Sequence, residues 1–207
     1  AIIPAAIREG RVIIDNIRKI ITYMVSGSFT ETILIGGSLL AGLPLPVTAL
    51  QILWINLAED ALPGAALAFE KAQKDIMKRK PLKKNEPLLT EEMKAIIFFA
   101  SVITDFLLFG LFWLLLQGEY SLSHIQTFIF VGLGLDSLFY VFSMRNLREN
   151  IWRYNPFSNP LLVGAVAFGT SLLLLAVYAP FLQTLLKTVP LSLLDWAMLG
   201  VLTFIDI

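Results

Sequence analysis

Two acidic residues stand side by side inside an apolar stretch: Glu59 and Asp60, in the segment QILWINLAEDALP at positions 51–63. An ionisable side chain at membrane depth costs about 2.5 to 3.5 kcal/mol on insertion scales. Two in succession therefore need a compensating partner, such as a bound cation, a proton or a watery cavity. The segment indicates a chain that carries ions.

Other polar residues are spaced to share helix faces with this pair or with one another. Asn56 precedes Glu59 by three residues and Asp60 by four, so all three project towards one side of a helix. Glu31 follows Ser28 by three residues in a separate apolar stretch, so these two also share a face. Carboxylate, amide and hydroxyl oxygens are the ligands that hard cations such as Ca²⁺, Mg²⁺ and Na⁺ prefer. We therefore expect one oxygen-lined cation site, around which the three carboxylates converge.

Pro63 adds a backbone signal at the same place. Proline has no N–H and clashes with the carbonyl four residues earlier, which here belongs to Glu59. This predicts a kinked or unwound helix that offers carbonyl oxygens beside the carboxylates, as in transporters with broken helices at their ion sites.

The alternative interpretation is that these acids are neutral, buried hydrogen-bonding groups that hold helices together. Two lone acids in other apolar stretches, Asp105 and Asp136, allow both interpretations. A helix-joining role is favoured for Asp105, whereas Asp136, beside Ser137, suits either role equally well.

Composition places the chain among integral membrane proteins. Of its 207 residues, 57% are hydrophobic and 15% are charged, against about 25% charged in soluble proteins. Mean hydropathy is +0.74, and the apolar runs approach the length of about 20 residues that a membrane helix needs. Cysteine is absent, which excludes disulfide and thiolate chemistry, and the zero formal net charge argues against nucleic-acid binding.

The apolar runs are long and lack two-residue alternation, which favours helices over barrel strands. We therefore expect an all-α membrane protein, a bundle of six transmembrane helices. Residues 41–46, AGLPLP, predict a tight hairpin between the first two spans. The expected spans are about 17–40, 47–69, 94–117, 124–144, 160–180 and 191–207.

Positive charge predicts the orientation. Fifteen of the sixteen Lys and Arg residues lie before or at the start of span one, around the connection of spans two and three, or after span four. Only Lys187 lies in a connection of the other set. The basic side is expected to be cytoplasmic, with both ends of the chain on that side. The basic 70–93 loop is read as a topology determinant, with lipid-headgroup binding as the alternative.

Several motifs together resemble one family. They are Arg8-Glu9-Gly10-Arg11, a hairpin whose first span holds Glu31, the 51–63 segment, and DIMKRKP at 75–81. The combination resembles the C-terminal membrane region of type II P-type cation-transporting ATPases, the branch that includes the calcium pumps and the sodium/potassium pump.

This resemblance implies that the six spans are helices five to ten of a ten-helix membrane domain. Residues 1–16 would be the cytoplasmic stalk that enters the first span, and residues 17–207 the C-terminal transmembrane domain. The remainder of the same polypeptide would supply helices one to four and the cytoplasmic domains that bind Mg-ATP and become phosphorylated. The fragment alone would not hydrolyse ATP.

The resemblance also implies a ligand set. Glu31 matches the helix-five carboxylate ligand of the calcium pumps, and Ser28 takes the place of a helix-five asparagine. Asn56 and Asp60 match the helix-six asparagine and the aspartate that bridges both ions.

Two positions depart from the calcium-pump pattern. Glu59 stands where those pumps have threonine. Ser137 aligns with a helix-eight glutamate, and Asp136 precedes it by one residue, about 100° around a helix. Asp136 is kept in the expected ligand set with the four residues above and Glu59.

The expected function is an ATP-driven cation pump of the cell membrane, with Ca²⁺ as the leading ion and proton counter-transport. Because of Glu59, pumping of H⁺, Na⁺/K⁺, Mg²⁺ or Mn²⁺ stays open. The rivals are a non-catalytic six-span channel or membrane subunit and an inactive, truncated pump. The expected partners are the lipid bilayer, the cation and the rest of the pump polypeptide. The first residue is Ala and the last residues break off in an apolar run, so we expect a piece of a longer protein.

Overall fold

The computed structural model of the protein describes residues 2–73, 75–81, 87–147 and 155–206, without the side chains of residues 92, 100–105, 205 and 206. Every regular element in these ranges is helical, so the all-α prediction is confirmed. Asp105 and residues 82–86 of the basic loop lie outside what is described. The α-helices are α1 Ile2–Leu40, α2 Ala49–Trp54, α3 Ala61–Ala66, α4 Glu91–Gln117, α5 Leu122–Met144, α6 Pro160–Tyr178, α7 Pro180–Leu186 and α8 Leu193–Asp206.

Helix α1 runs without a break through the expected stalk and the expected first span. Its 39 residues extend about 58 Å at 1.5 Å per residue. It ends at Leu40, and Gly42 follows with a φ of +66°, in the left-handed region that glycine adopts without strain. The amide of Leu43 donates to the carbonyl of Ser38 at 2.9 Å, which closes the helix end and turns the chain back. The tight hairpin predicted from AGLPLP is therefore present.

The second helical segment, Ala49–Phe69, is irregular in its middle. A π-helical turn, Ile55–Asp60, separates α2 from α3, and a short 3₁₀ turn, Leu67–Phe69, ends the segment. The interruption lies where Pro63 predicted one, and it takes the form of a wider helical turn that includes both acids.

Helix α5 lies at the centre of the bundle. Residues 127–135 are all buried, so this part of the helix is covered on every side. Helices α6 and α8 pack against α5, α1 packs against α4, and α3 packs against α6. Glycines allow close approach on two faces of α5: Gly132 lies against Leu108 and Leu199, and Gly169 of α6 lies against Leu138.

Three helical segments of the described chain are long and apolar enough to cross a membrane: Ala49–Phe69, Leu122–Met144 and Pro160–Tyr178. Two shorter apolar stretches, Phe106–Gln117 and Leu193–Phe204, are also helical. The count of six spans stays a prediction. The expected span 160–180 divides at Ala179, whose backbone is extended before Pro180 begins α7.

A buried ion pair joins the ends of three helical segments. The Arg145 side chain, at the end of α5, is 4% exposed and forms a two-point salt bridge with Glu70, which follows the 3₁₀ turn. The two bonds measure 2.9 and 2.6 Å. Asn159, the N-cap of α6, donates a third hydrogen bond to the Glu70 carboxylate at 3.0 Å. The remaining Arg145 donors go to the carbonyls of Asn155 and Pro156 and to the Ser158 hydroxyl, so all five N–H groups are used.

Helix α1 joins the same cluster through its polar face. Asn16 Nδ2 donates to the carbonyls of Ala68 and Glu70 at 3.0 and 2.9 Å, which satisfies the orphan carbonyls at the end of the second segment. Burial raises the pKa of the Glu70 carboxyl, but hydrogen bonds from Arg145 and Asn159 and the nearby charges hold that pKa below its ordinary value. We call Asn16, Glu70, Arg145 and Asn159 the Glu70 cluster.

The connection after the second segment is docked against α1. Arg11 Nη1 donates to the carbonyls of Ile76 and Arg79 at 2.7 and 3.0 Å. The Arg79 guanidinium pairs with Asp75 and reaches Asp15 on α1. The basic residues of this connection thus include one, Arg79, whose charge is matched within the protein.

Candidate cation site

Asp60 is held by two hydroxyl groups from other helices. Its side chain is 7% exposed, and the Ser137 hydroxyl on α5 donates to Oδ1. The Tyr23 hydroxyl on α1 lies 3.4 Å from the same oxygen and 3.0 Å from Ser137 Oγ. The second carboxylate oxygen faces Gly27, where a Cβ would stand 3.7 Å away. Asp60 therefore links α1, the second segment and α5 in the interior of the bundle.

Glu31 and Asn56 form a second polar pair between α1 and the second segment. Asn56 Nδ2 donates to both Glu31 carboxylate oxygens, at 2.9 and 3.2 Å, and to the carbonyl of Ile52 at 3.0 Å. Both side chains are half-buried. These hydrogen bonds use the amide nitrogen of Asn56 and not its amide oxygen, and they hold the Glu31 carboxylate against the second segment.

Glu59 points to a different side of the segment and is completely buried. Neither of its carboxylate oxygens has a hydrogen-bond partner within the described residues. The carboxylate lies against Gly134 of α5, where a Cβ would come within 2.2 Å of Oε2. The Trp54 indole, five residues earlier, is the polar neighbour of this carboxylate on its own segment, although the geometry does not make a hydrogen bond.

The places of the two acids in the helical turn account for this division. Successive residues of a helix diverge by about 100°, so adjacent carboxylates cannot share a face. Bonds in a π turn join residues five apart, which brings Trp54 and Glu59 onto one side. Asp60, one residue later, is directed to Tyr23 and Ser137. The predicted acids are thus buried together in one turn and both contact α5, Glu59 at Gly134 and Asp60 at Ser137, but they point in different directions.

The structure brings together some of the predicted ligands and separates others. Glu31 pairs with Asn56, and Asp60 accepts a hydrogen bond from Ser137. Glu59 lies apart from both pairs, in the space beside Gly134 that we call the Gly134 recess. Within the described residues no group of three or more Asp, Glu, His or Cys side chains is gathered as a metal would require. Hydroxyl, amide and single carboxylate oxygens from three helices therefore make up the candidate site.

Two predicted ligands lie elsewhere. The Ser28 side chain is exposed, and its backbone carbonyl accepts a hydrogen bond from the Thr32 hydroxyl at 2.7 Å. Asp136 lines a small cavity between α5, α4 and α8, beside Leu108 and Thr203. That cavity lies on a different face of α5 from Ser137. Ligation by Ser28 and by Asp136 stays a prediction.

Two contributors were not predicted from the sequence. Tyr23 precedes Gly27 by one helical turn and Ser26 by three residues, so a polar and small-residue face on α1 was the available signal. Gly134 stands three residues before Ser137, which puts both on one face of α5. A glycine in an apolar helix carries no chemical signal of its own, so only the contact with Glu59 identifies it.

Comparison with known proteins gives the family. The model of the family described as "Cation transporting ATPase, C-terminus" matches residues 44–207. The chain is 34% identical over 203 residues to "Calcium-transporting ATPase" of Bacillus subtilis (strain 168), which covers 95% of this chain and 22% of that protein. It is 31% identical over 205 residues to "Cation-transporting ATPase pma1" of Synechocystis sp., covering 95% of this chain and 22% of that protein.

A mammalian relative matches the same region. "Calcium-transporting ATPase type 2C member 1" of Mus musculus is 30% identical over 193 residues, covering 93% of this chain and 21% of that protein. The chain thus spans about a fifth of the length of these curated relatives. The all-helical, apolar structure with its buried acids agrees with a membrane region of such a protein. The chain therefore belongs to the P-type cation-transporting ATPase family and corresponds to its C-terminal membrane region.

Proposed function

We propose that this chain is the ion-binding membrane part of an ATP-driven cation pump. The observation that carries the proposal is the burial of two adjacent carboxylates, Glu59 and Asp60, at a π-helical turn inside an apolar helix bundle. Buried ionisable groups in a membrane bundle mark ion pathways. Three helices contribute oxygen groups around Asp60 and Asn56, which suits a hard cation.

Ca²⁺ is the proposed cation. The Bacillus subtilis and Mus musculus relatives are both named calcium-transporting ATPases, which supports this choice. Glu31, Asn56 and Asp60 supply two carboxylates and one amide oxygen, the ligand chemistry that Ca²⁺ binds at its sites in proteins. Ser137 and Tyr23 orient Asp60 through their hydroxyls.

Glu59 favours a second candidate. It brings another carboxylate into the same turn, which suits a pump for H⁺, Na⁺/K⁺ or Mg²⁺/Mn²⁺ or one that exchanges the cation for protons. In the Ca²⁺ proposal, the buried carboxylates take up protons when the cation leaves, because an isolated buried charge is costly. Proton counter-transport belongs to the proposal for this reason.

The proposed arrangement in the membrane is six spans with both ends on the cytoplasmic side. The excess of Lys and Arg before span one and around two connections on the same side supports this orientation. The long α1 supports a stalk, residues 1–16, that continues into the first span, residues 17–40. The remaining polypeptide would bind Mg-ATP in cytoplasmic domains, and the pump would work in the cell membrane.

The test is transport by the complete polypeptide that carries this chain, purified and reconstituted in liposomes with ATP outside. We expect ATP-dependent accumulation of ⁴⁵Ca²⁺, with ATP hydrolysis that EGTA abolishes and Ca²⁺ restores. Parallel arms with Mn²⁺, Na⁺, K⁺ and a pH gradient dye identify the cation and any opposing proton flow. ATP hydrolysis that none of these ions stimulates would contradict the pump proposal.

A further inference from the structure

The backbone of α5 passes unusually close to the Glu59 carboxylate at Gly134. A Cβ on Gly134 would stand 2.2 Å from Glu59 Oε2 and 3.2 Å from Glu59 Cδ. The same Cβ would also stand 3.2 Å from Cδ1 of Leu173 on α6. The carboxylate therefore occupies the space that the missing side chain of Gly134 leaves between α5 and α6.

The next turn of α5 contacts the other acid. Ser137 follows Gly134 by three residues, on the same face, and its hydroxyl donates to Asp60. One face of α5 thus positions both carboxylates. Ser137 holds Asp60 by a hydrogen bond, and Gly134 leaves the space that the Glu59 carboxylate fills. The recess directs Glu59 away from the hydroxyl groups that hold Asp60.

We propose that Gly134 is a specificity-determining positioning residue. It makes room for the Glu59 carboxylate and so sets how far that carboxylate lies from the oxygen groups around Asp60 that would bind the cation. This inference rests on the proposed function, since it concerns the same site. Any side chain larger than hydrogen at position 134 moves the carboxylate, because the end of Glu59 is the flexible partner in the contact.

A neighbouring glycine provides a matched control. A Cβ at Gly132, on the same helix, would meet Leu108 and Leu199 at 3.3 Å and would not touch Glu59. Gly132→Ala therefore adds the same methyl group to α5 on a face that does not include the acidic pair. It separates a general effect on packing from an effect on Glu59.

A second change tests whether Gly134 acts through Glu59. Threonine at position 59 is shorter by one carbon along the chain and carries no carboxylate, so Glu59→Thr removes the two Glu59 atoms that a methyl at 134 would meet and leaves only the 3.2 Å contact with Leu173 Cδ1. If the inference is right, Gly134→Ala alters cation dependence in the wild-type background and has little effect in the Glu59→Thr background.

The experiment measures cation-stimulated ATP hydrolysis and phosphoenzyme formation in the complete polypeptide, for Gly134→Ala, Glu59→Thr, both together, and Gly132→Ala. We expect Gly134→Ala to weaken the apparent affinity for the transported cation at least five-fold and to change its preference over Mn²⁺. We expect Gly132→Ala to stay within two-fold of wild type, and the double variant to match Glu59→Thr alone.

Each outcome decides the inference. Equal losses for Gly134→Ala with and without Glu59 would overturn it, as would an unchanged affinity in the single variant or an equal loss in Gly132→Ala. If Gly134→Ala does not fold, recovery of folded protein by adding Glu59→Thr supports the inference, and no recovery contradicts it. A wild-type protein without any cation-stimulated hydrolysis would instead count against the proposed function.

Discussion

Ser137 on α5 donates its hydroxyl hydrogen bond to Oδ1 of Asp60, a residue 77 positions earlier in the chain. This contact shows that Ser137, and not the adjacent Asp136, is the residue of α5 that faces Asp60. Asp136 lies on another face, in a cavity with α4 and α8. The hydroxyl, rather than the neighbouring carboxylate, thus completes the contacts of Asp60.

Replacing Asp60 by Asn removes one negative charge from the candidate site but keeps the side-chain shape. We expect Asp60→Asn to abolish cation-stimulated phosphorylation by ATP in the complete polypeptide, because the cation loses its central carboxylate. Phosphorylation by inorganic phosphate, measured with ³²P and no added cation, should persist. A variant with normal cation dependence would remove Asp60 from the site.

Replacing Ser137 by Ala removes the hydrogen bond that orients Asp60. A hydrogen bond to a charged group contributes about 1.5 to 3 kcal/mol, so the apparent cation affinity should fall about ten-fold or more. Asp136→Asn, one residue away, is the matched comparison and should change affinity much less. Titration of phosphoenzyme against free cation checks both variants. A larger effect of Asp136→Asn would favour Asp136, and not Ser137, as the residue of α5 that contributes to the site.

Replacing Arg145 by Met should destabilise the protein strongly, because Glu70 would be left charged and buried without its ion-pair partner. Loss of one member of a buried pair costs about 3 to 5 kcal/mol. Arg145→Lys should recover only part of this, since an ammonium cannot replace five donors in a planar fork. Thermal unfolding in detergent, followed by intrinsic fluorescence, measures both. Equal stability of the Lys variant and wild type would contradict the role of the fork.

The Glu70 cluster also predicts how stability changes with pH. The pKa of Glu70 is lower in the folded protein than in the unfolded chain, where it is about 4.3. Its stabilising contribution is therefore fully present above that pH and is lost as the pH falls through the lower, folded value. Unfolding of wild type and Glu70→Gln should be compared from pH 6 to pH 3.5. The stability difference between them should shrink as the pH falls, and a constant difference would contradict the assignment.

Local sequence signals predicted the parts of the fold that depend on short stretches of chain. The AGLPLP turn fixes the first hairpin through Gly42, and Pro63 predicts an interruption of the helix beside the acids. The apolar runs predict helices because their length and lack of alternation do not depend on tertiary contacts. Asn56 and Glu31 were both selected as polar groups in apolar segments, and the structure joins them.

The directions of the acids required tertiary information. Side chains one residue apart diverge by about 100°, so an uncertain helical register moves a carboxylate from one neighbour to another. The π turn changes that register as well, so the structure is needed to show that Glu59 lies against Gly134 and that Asp60 contacts Tyr23 and Ser137. Gly134 acts through position alone, and no pattern in its own segment distinguishes it from a packing residue. Tyr23 lies on a polar and small-residue face of α1, but that face does not show that its hydroxyl reaches Asp60.

The π turn also sets the length of the chain between two anchored points. It accommodates more residues per turn than an α-helix, so the second segment spans the same distance with one residue more than a regular helix would use. Deleting a single residue such as Ala58 would let the turn relax to α geometry. Residues beyond the turn could then keep their places, so Glu70 would still reach Arg145, whereas the acids inside the turn would change direction. A one-residue deletion here therefore differs in kind from a deletion elsewhere in the helix, because it redirects the acids without displacing the far end of their own helix.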